Sequence, residues 1–151
     1  MAEVKDRLRA DLTAAMKAKD TFTTGVLRMG VAAIANEEVS GKVARELTQA
    51  QEEAVITREV HKRHESAEAY AAGNRPELAQ KEEAEAAVLS QYIPAPLTQA
   101  EVDRIVAEEL AAVDGATMKQ MGQIIKAVNA RVQGRADGSM IAAKVRAGLT
   151  G

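Results

Sequence analysis

The segment Tyr92-Ile93-Pro94-Ala95-Pro96-Leu97-Thr98-Gln99-Ala100-Glu101 decides how the chain is organised. Each proline lacks an amide hydrogen and pushes the residue before it out of the α region, so no helix runs through Pro94-Ala95-Pro96. Two residues later Thr98 and Glu101 have capping-box spacing, which restarts a helix at once. A stop followed by a restart divides the chain into an expected N-terminal helical domain over 1–93 and a small three-helix domain over 97–151. Composition fits this: 151 residues hold about one ordinary domain or two very small ones.

Outward from that segment the pattern is helical in both directions. β-branched alternation never persists, whereas apolar residues recur at three- and four-residue spacing throughout. Val4, Leu8, Leu12 and Ala15 with Met16 predict a first helix, and Asp20 caps a second bearing Phe22, Val26, Met29 with Gly30, and Ala33 with Ile34. Gly25 and Gly30 lower helix propensity there, and close packing by a neighbour is the expected compensation. Thr48 with Gln51 opens a long third helix through Val55, Ile56, Val60, Ala67 and Tyr70, which Gly73-Asn74 ends. Pro76 opens a fourth through Leu78, Ala86 and Leu89. After the break, Val102, Ile105, Val106 and Leu110 form a fifth stripe. Met118, Met121, Ile125, Val128 and Val132 form a sixth, and Ile141, Val145 and Leu149 a seventh. The expectation is an all-α protein, an N-terminal antiparallel bundle of about four helices followed by a three-helix domain.

Chemistry is hard to find. There are no cysteines, which removes thiolate metal sites and thiol nucleophiles. No phosphate-binding glycine loop or serine elbow is present. His61 and His64 lie three apart with Glu65 and Glu68 beyond, but no third ligand is compelled, so they read as solvated residues of a charged helix. Pairs such as Glu37-Glu38, Glu52-Glu53 and Glu82-Glu83 diverge on a helix and read as solubilising. No catalytic residue, metal or cofactor is expected. The charge-dense start, Met1 to Arg9, reads against a signal peptide, and no stretch approaches the roughly 20 apolar residues that span a bilayer, so the expected location is cytoplasmic.

Charge is unevenly placed. The net charge is -2, yet residues 116–151 hold Lys119, Lys126, Arg131, Arg135, Lys144 and Arg146 against Asp137 alone. Lys119 and Lys126 stand opposite the apolar stripe of their helix, and Arg135 lies in a glycine-flanked loop at a helix N-terminus that favours anions. Lys119, Lys126, Arg131, Arg135 and Lys144 are therefore the candidate contacts for a polyanion. A charged exterior required by a tiny bundle would give the same cations, and both readings stand.

The series Asp11, Ala15-Met16-Lys17, Asp20, Leu27-Arg28-Met29, Ala32-Ala33, Asn36-Glu37, Arg63, Ser66, Tyr70, Gly73, Arg75, Leu78, Glu82-Glu83, Leu89, Tyr92-Ile93-Pro94, Met121-Gly122 and Gly134-Arg135-Ala136-Asp137-Gly138 closely resembles the YqeY family over essentially the whole chain. That family is similar to the C-terminal tail of the GatB subunit of the glutamine-dependent tRNA amidotransferase. The resemblance implies a free-standing helical module that binds tRNA or acts as an adapter, with amidotransferase subunits or an aminoacyl-tRNA synthetase as protein partners. The family label, carbon-nitrogen ligase with glutamine as amido-N-donor, belongs to catalytic parts that lie elsewhere in the amidotransferase. An accessory amidotransferase subunit, a protein-interaction bundle and a helix-turn-helix DNA binder are the alternatives. Few aromatics, 2% of the chain, favour backbone recognition over base stacking.

Overall fold

A computed structural model of the chain describes residues 3–150 and is all-α among them. The expected domain ends at Met1, Ala2 and Gly151 lie outside the described residues. The helices are α1 (Glu3–Lys17), α2 (Thr21–Glu38), α3 (Gln49–Ala72), α4 (Pro76–Ser90), α5 (Gln99–Ala111), α6 (Met121–Val132) and α7 (Gly138–Thr150), with a 3-10 turn at Met118–Gln120 ahead of α6. The chain divides into two compact units, Met1–Pro94 and Ala95–Gly151.

Helix ends follow local chemistry. The Asp20 carboxylate accepts from the Thr23 amide, and Thr48 with Gln51 and Thr98 with Glu101 form reciprocal capping boxes. Thr117 with Gln120 forms a third, at the start of the 3-10 turn. Gly73 ends α3, Pro76 sits in the first turn of α4, and α6 closes through left-handed Gln133 followed by Gly134 at positive φ.

In the first unit the core gathers Val4 and Leu8 from α1, Val26, Leu27 and Ile34 from α2, Val55, Ile56 and Val60 from α3, and Ala86 and Leu89 from α4. Leu47 and Tyr92 join it from the flanking segments. The buried face of α2 differs from the expected one. Phe22 and Met29 are 42% and 40% exposed, whereas Leu27 is buried. The reason is Gly30: a Cβ there would lie 3.2 Å from a Leu89 methyl and 3.5 Å from a Leu8 methyl, so α2 turns this residue into the junction with α1 and α4. Met29, about 100° round the helix, is carried outward. Close packing thus explains Gly30 but not Gly25, whose Cβ position meets no atom within 4 Å. Met16 and Tyr70, also expected on apolar faces, are exposed.

Three ionisable groups, Glu52, Arg63 and Glu85, are buried, and the first of them was expected to be solubilising. Glu52 is fully buried and accepts from the Val4 and Lys5 amides, at 3.1 and 3.3 Å, capping α1 from α3. Arg63 and Glu85 pair across α3 and α4 at 3.2 Å. Glu52 therefore does structural work that its pairing with Glu53 in sequence concealed.

Tyr92 closes the first unit onto α1. Its hydroxyl donates to Asp11 at 2.5 Å, and the Arg7 guanidinium lies 5.0 Å from the ring centre while also donating to the Gln91 carbonyl. Burial, then the Asp11 carboxylate, push the phenol well above the ordinary tyrosine range, with Arg7 opposing. Because the folded-state value is raised, this group's contribution is intact below the unfolded tyrosine value of about 10 and is lost as the pH climbs beyond it. Tyr92→Phe is expected to remove that part of the alkaline loss, so the stability gap between wild type and variant narrows above pH ~10, by at most about 1.4 kcal/mol per pH unit. Urea titrations between pH 8 and 11 measure it, and parallel curves would refute the assignment.

The second unit packs Val102, Ile105 and Val106 of α5, Ile124, Val128 and Val132 of α6, and Ile141 and Val145 of α7. Here the expected α6 stripe is corrected: Ile124 is buried, Met118 is 46% exposed, and Met121 and Ile125 are partly buried. A 3-10 turn advances three residues per turn, so Met118 enters out of phase with the α-helix that follows.

Candidate nucleic-acid interface

The five candidate cations do not form one uncommitted set. Arg131 neighbours Val132 in the buried stripe of α6 and is drawn against α5, where it pairs with Glu109 at 3.0 Å and Glu108 at 3.4 Å. The hydrogen bond it donates to Glu109 leads in holding this guanidinium more firmly protonated than an ordinary arginine. Lys144 of α7 pairs with Asp103, also on α5. The surplus of positive charge over 116–151 is thus largely answered by the helix before it. Across 95–151, seven Lys and Arg stand against six Asp and Glu, so any anion site here is local and owes little to total charge.

Lys119 and Lys126 remain. Both are exposed, and among the described residues neither ammonium has a hydrogen-bond or ion-pair partner. Lys126 stands across α6 from Ile124 and Val128, and Lys119 edges a shallow depression lined by Ala116, Thr117, Met118 and Leu149. Arg146 of α7 is exposed and uncommitted in the same sense. It lies outside the five candidates, although its position one residue past buried Val145 turns it about 100° from the core.

Arg135 is partly committed. Its Nε donates to the Ala95 carbonyl at 2.9 Å, and its own carbonyl accepts from the Leu97 amide at 2.8 Å. The Gly134-to-Gly138 loop therefore straps the segment 95–97 onto the second unit. Because only Nε is used, the terminal guanidinium nitrogens keep donors for an oxyanion, held by the bond behind them. The helix N-terminus beside it is not open, however: Asp137 accepts from the Ser139 amide and hydroxyl at 3.0 and 2.9 Å, supplying that end of α7 with an anion of its own.

His61 is exposed, His64 Nδ1 lies 3.0 Å from Glu83 on α4, and among the described residues no three His, Asp or Glu side chains group as a metal site. No described helix is long and apolar enough to cross a membrane.

Comparison with curated proteins finds no match. A family model described as Yqey-like protein matches residues 5–149. That span takes in both compact units, Tyr92-Ile93-Pro94 and the strap loop at Arg135. The chain belongs to the YqeY-like protein family.

Proposed function

We propose that the protein is a free-standing, GatB-tail-like module that binds structured RNA, tRNA in the first place, working in the cytoplasm as a binding or adapter protein alongside tRNA-dependent amidotransferase. The reading includes two independently folding parts, an antiparallel bundle of about four helices and a three-helix domain that carries the RNA contacts. The observation that supports it best is the set of uncommitted cations in the second unit, Lys119, Lys126 and Arg146, beside an Arg135 whose guanidinium is held in place from behind. Phosphates are the natural ligand of such cations. A duplex shape, rather than stacked single-stranded bases, suits a unit whose residues 95–151 include no aromatic side chain.

Binding of tRNA measured against salt tests this. With about four phosphates engaged at ~0.7–0.9 each, the logarithm of affinity should fall against the logarithm of salt with a slope of about -3 to -4. Lys126→Ala should reduce that slope by about one and weaken all RNAs alike, because a phosphate contact carries no sequence information. Arg131→Ala and Lys144→Ala should barely move it, since α5 carboxylates already neutralise both side chains. The control is Arg9→Ala with Lys17→Ala in α1. Arg7 is unsuitable as a control because it packs on Tyr92. If the control loses as much affinity as Lys126→Ala, the cations merely solubilise the unit. Equal affinity for duplex DNA would favour the helix-turn-helix alternative.

A further inference from the structure

α2 carries a second apolar stripe that the core leaves uncovered. Phe22, Gly25, Met29 and Ala32 follow one another at three- and four-residue spacing, and Asn36 continues the line. All five are exposed. Two depressions run beside the stripe and share Met29. One is bordered by Lys81 and Glu85 of α4, the other by Val55, Arg58 and Lys62 of α3. From Phe22 to Asn36 the groove extends about 21 Å, four turns of a helix. Gly25 has no atom near its Cβ position, so another backbone can approach α2 closely there.

The charges around this groove are sorted by depth. Arg58 and Lys62 project with side chains 58% and 70% exposed, and Lys81 on the opposite wall is exposed with no partner among the described residues. The acids lie deeper. The Glu37, Glu59 and Glu85 side chains are 33%, 16% and 11% exposed: Glu37 pairs with Arg58 at 3.4 Å, and the other two are held down by Arg63, with Lys62 also on Glu59. An incoming surface therefore meets an apolar floor edged by cations that project further than the acids, and of these three Lys81 has no carboxylate partner among the described residues while Arg58 and Lys62 would exchange theirs.

We propose that this groove is the docking site for an acidic amphipathic helix of a partner protein. Its apolar residues, spaced i, i+4 and i+7, lie along Phe22, Met29 and Ala32, and its flanking Asp and Glu side chains meet Lys62, Arg58 and Lys81. The phenyl ring and thioether separate this ligand from RNA, whose phosphates would satisfy the walls but leave the apolar floor uncovered. The site lies in the first unit and does not depend on the RNA contacts assigned to the second.

The probe is a fluorescein-labelled peptide of about 16 residues with leucine on one helical face and glutamate on both flanks. Its twin carries lysine for every glutamate. Fluorescence anisotropy with the full chain is expected to show the glutamate peptide binding at least about tenfold more tightly than the twin. Met29→Asp and Gly25→Trp, both at exposed positions, should each weaken it by about tenfold or more. Lys62→Glu combined with Lys81→Glu should reverse the preference between the peptides, a result that misfolding would not produce. Binding of neither peptide, or a preference untouched by the double charge reversal, overturns the proposal. So does loss of tRNA affinity in the double reversal with the peptides unbound, which makes the groove an RNA surface. Self-association of the wild type that Met29→Asp abolishes, again with the peptides unbound, assigns the groove to a second copy of the chain.

Discussion

Arg63→Met is expected to lower the unfolding free energy by about 3–5 kcal/mol, the usual cost of leaving a buried charge without its partner. Arg63 is 7% exposed and donates Nε to Glu85 at 3.2 Å and Nη1 to the Glu59 carboxylate and carbonyl at 3.2 and 3.0 Å. Its remaining nitrogen contacts the Met29 sulfur at 3.3 Å. Methionine fills much of the same volume but strands Glu85, itself 8% exposed, in the seam between α3 and α4. Adding Glu85→Leu should recover most of the loss, because a matched apolar pair avoids the desolvation that the lone carboxylate suffers. The pH dependence carries a second signature. Burial pushes the Glu59 carboxyl up, but hydrogen bonds and charge from Lys62 and Arg63 outweigh it and hold the group below the usual glutamate value. A depressed folded-state value gives stability that is present above the unfolded value and lost as the pH falls through the folded one. The gap between wild type and Arg63→Met should therefore shrink in acid. Urea unfolding of the single and double variants at neutral and acidic pH gives both quantities. A single-variant cost below about 1 kcal/mol would show that the seam does not depend on this pair.

Glu52→Ala is expected to cost roughly 1–3 kcal/mol, the penalty for leaving buried donors unpaired. The Val4 and Lys5 amides belong to the first turn of α1, where no helical carbonyl can reach them, and Glu52 Oε1 takes both. Glu52 Oε2 has no partner among the described residues, so the carboxylate is held from one side only. Glu52→Gln keeps an acceptor for the two amides at similar volume and should cost less than alanine. Hydrogen exchange at Val4 and Lys5 should accelerate more in Glu52→Ala than exchange within α2, because the cap acts on α1 first. If Gln and Ala prove equally harmful, the charge matters more than the acceptor. If α1 amides stay as protected as in the wild type, the capping assignment fails.

Both variants concern residues that pattern reading misplaced, for the same reason. Glu52 stands beside Glu53 in a first helical turn, and Arg63 stands between Lys62 and His64, so each has the neighbours of a solvated face. The partners that bury them are remote: Val4 is 48 residues from Glu52, and Glu85 is 22 from Arg63, beside the local bonds of Arg63 to Glu59. The α6 stripe failed differently. Reading three- and four-residue spacing from Met118 onward assumes one helical period, and the 3-10 turn before Met121 breaks it. The candidate interface was only partly legible as well. Lys126 was placed opposite the apolar stripe by periodicity alone. Arg131 and Lys144 could not be separated from it without knowing that α5 presents Asp103, Glu108 and Glu109 to them.

The sequence by itself determined that this chain is helical, roughly where each helix begins and ends, and which family it belongs to. Those features depend on interactions within one turn: Asp20 with Thr23, Thr48 with Gln51, Thr98 with Glu101, and prolines whose effect ends at the preceding residue. Only the tertiary structure decided which apolar stripe of α2 is core, which carboxylates are buried, and which cations are spoken for. Each depends on what lies across a packed interface. Leu8 and Leu89 crowding Gly30 set the rotation of α2, and the acids of α5 neutralise Arg131 and Lys144 while the Lys119, Lys126 and Arg146 side chains have no partner among the described residues.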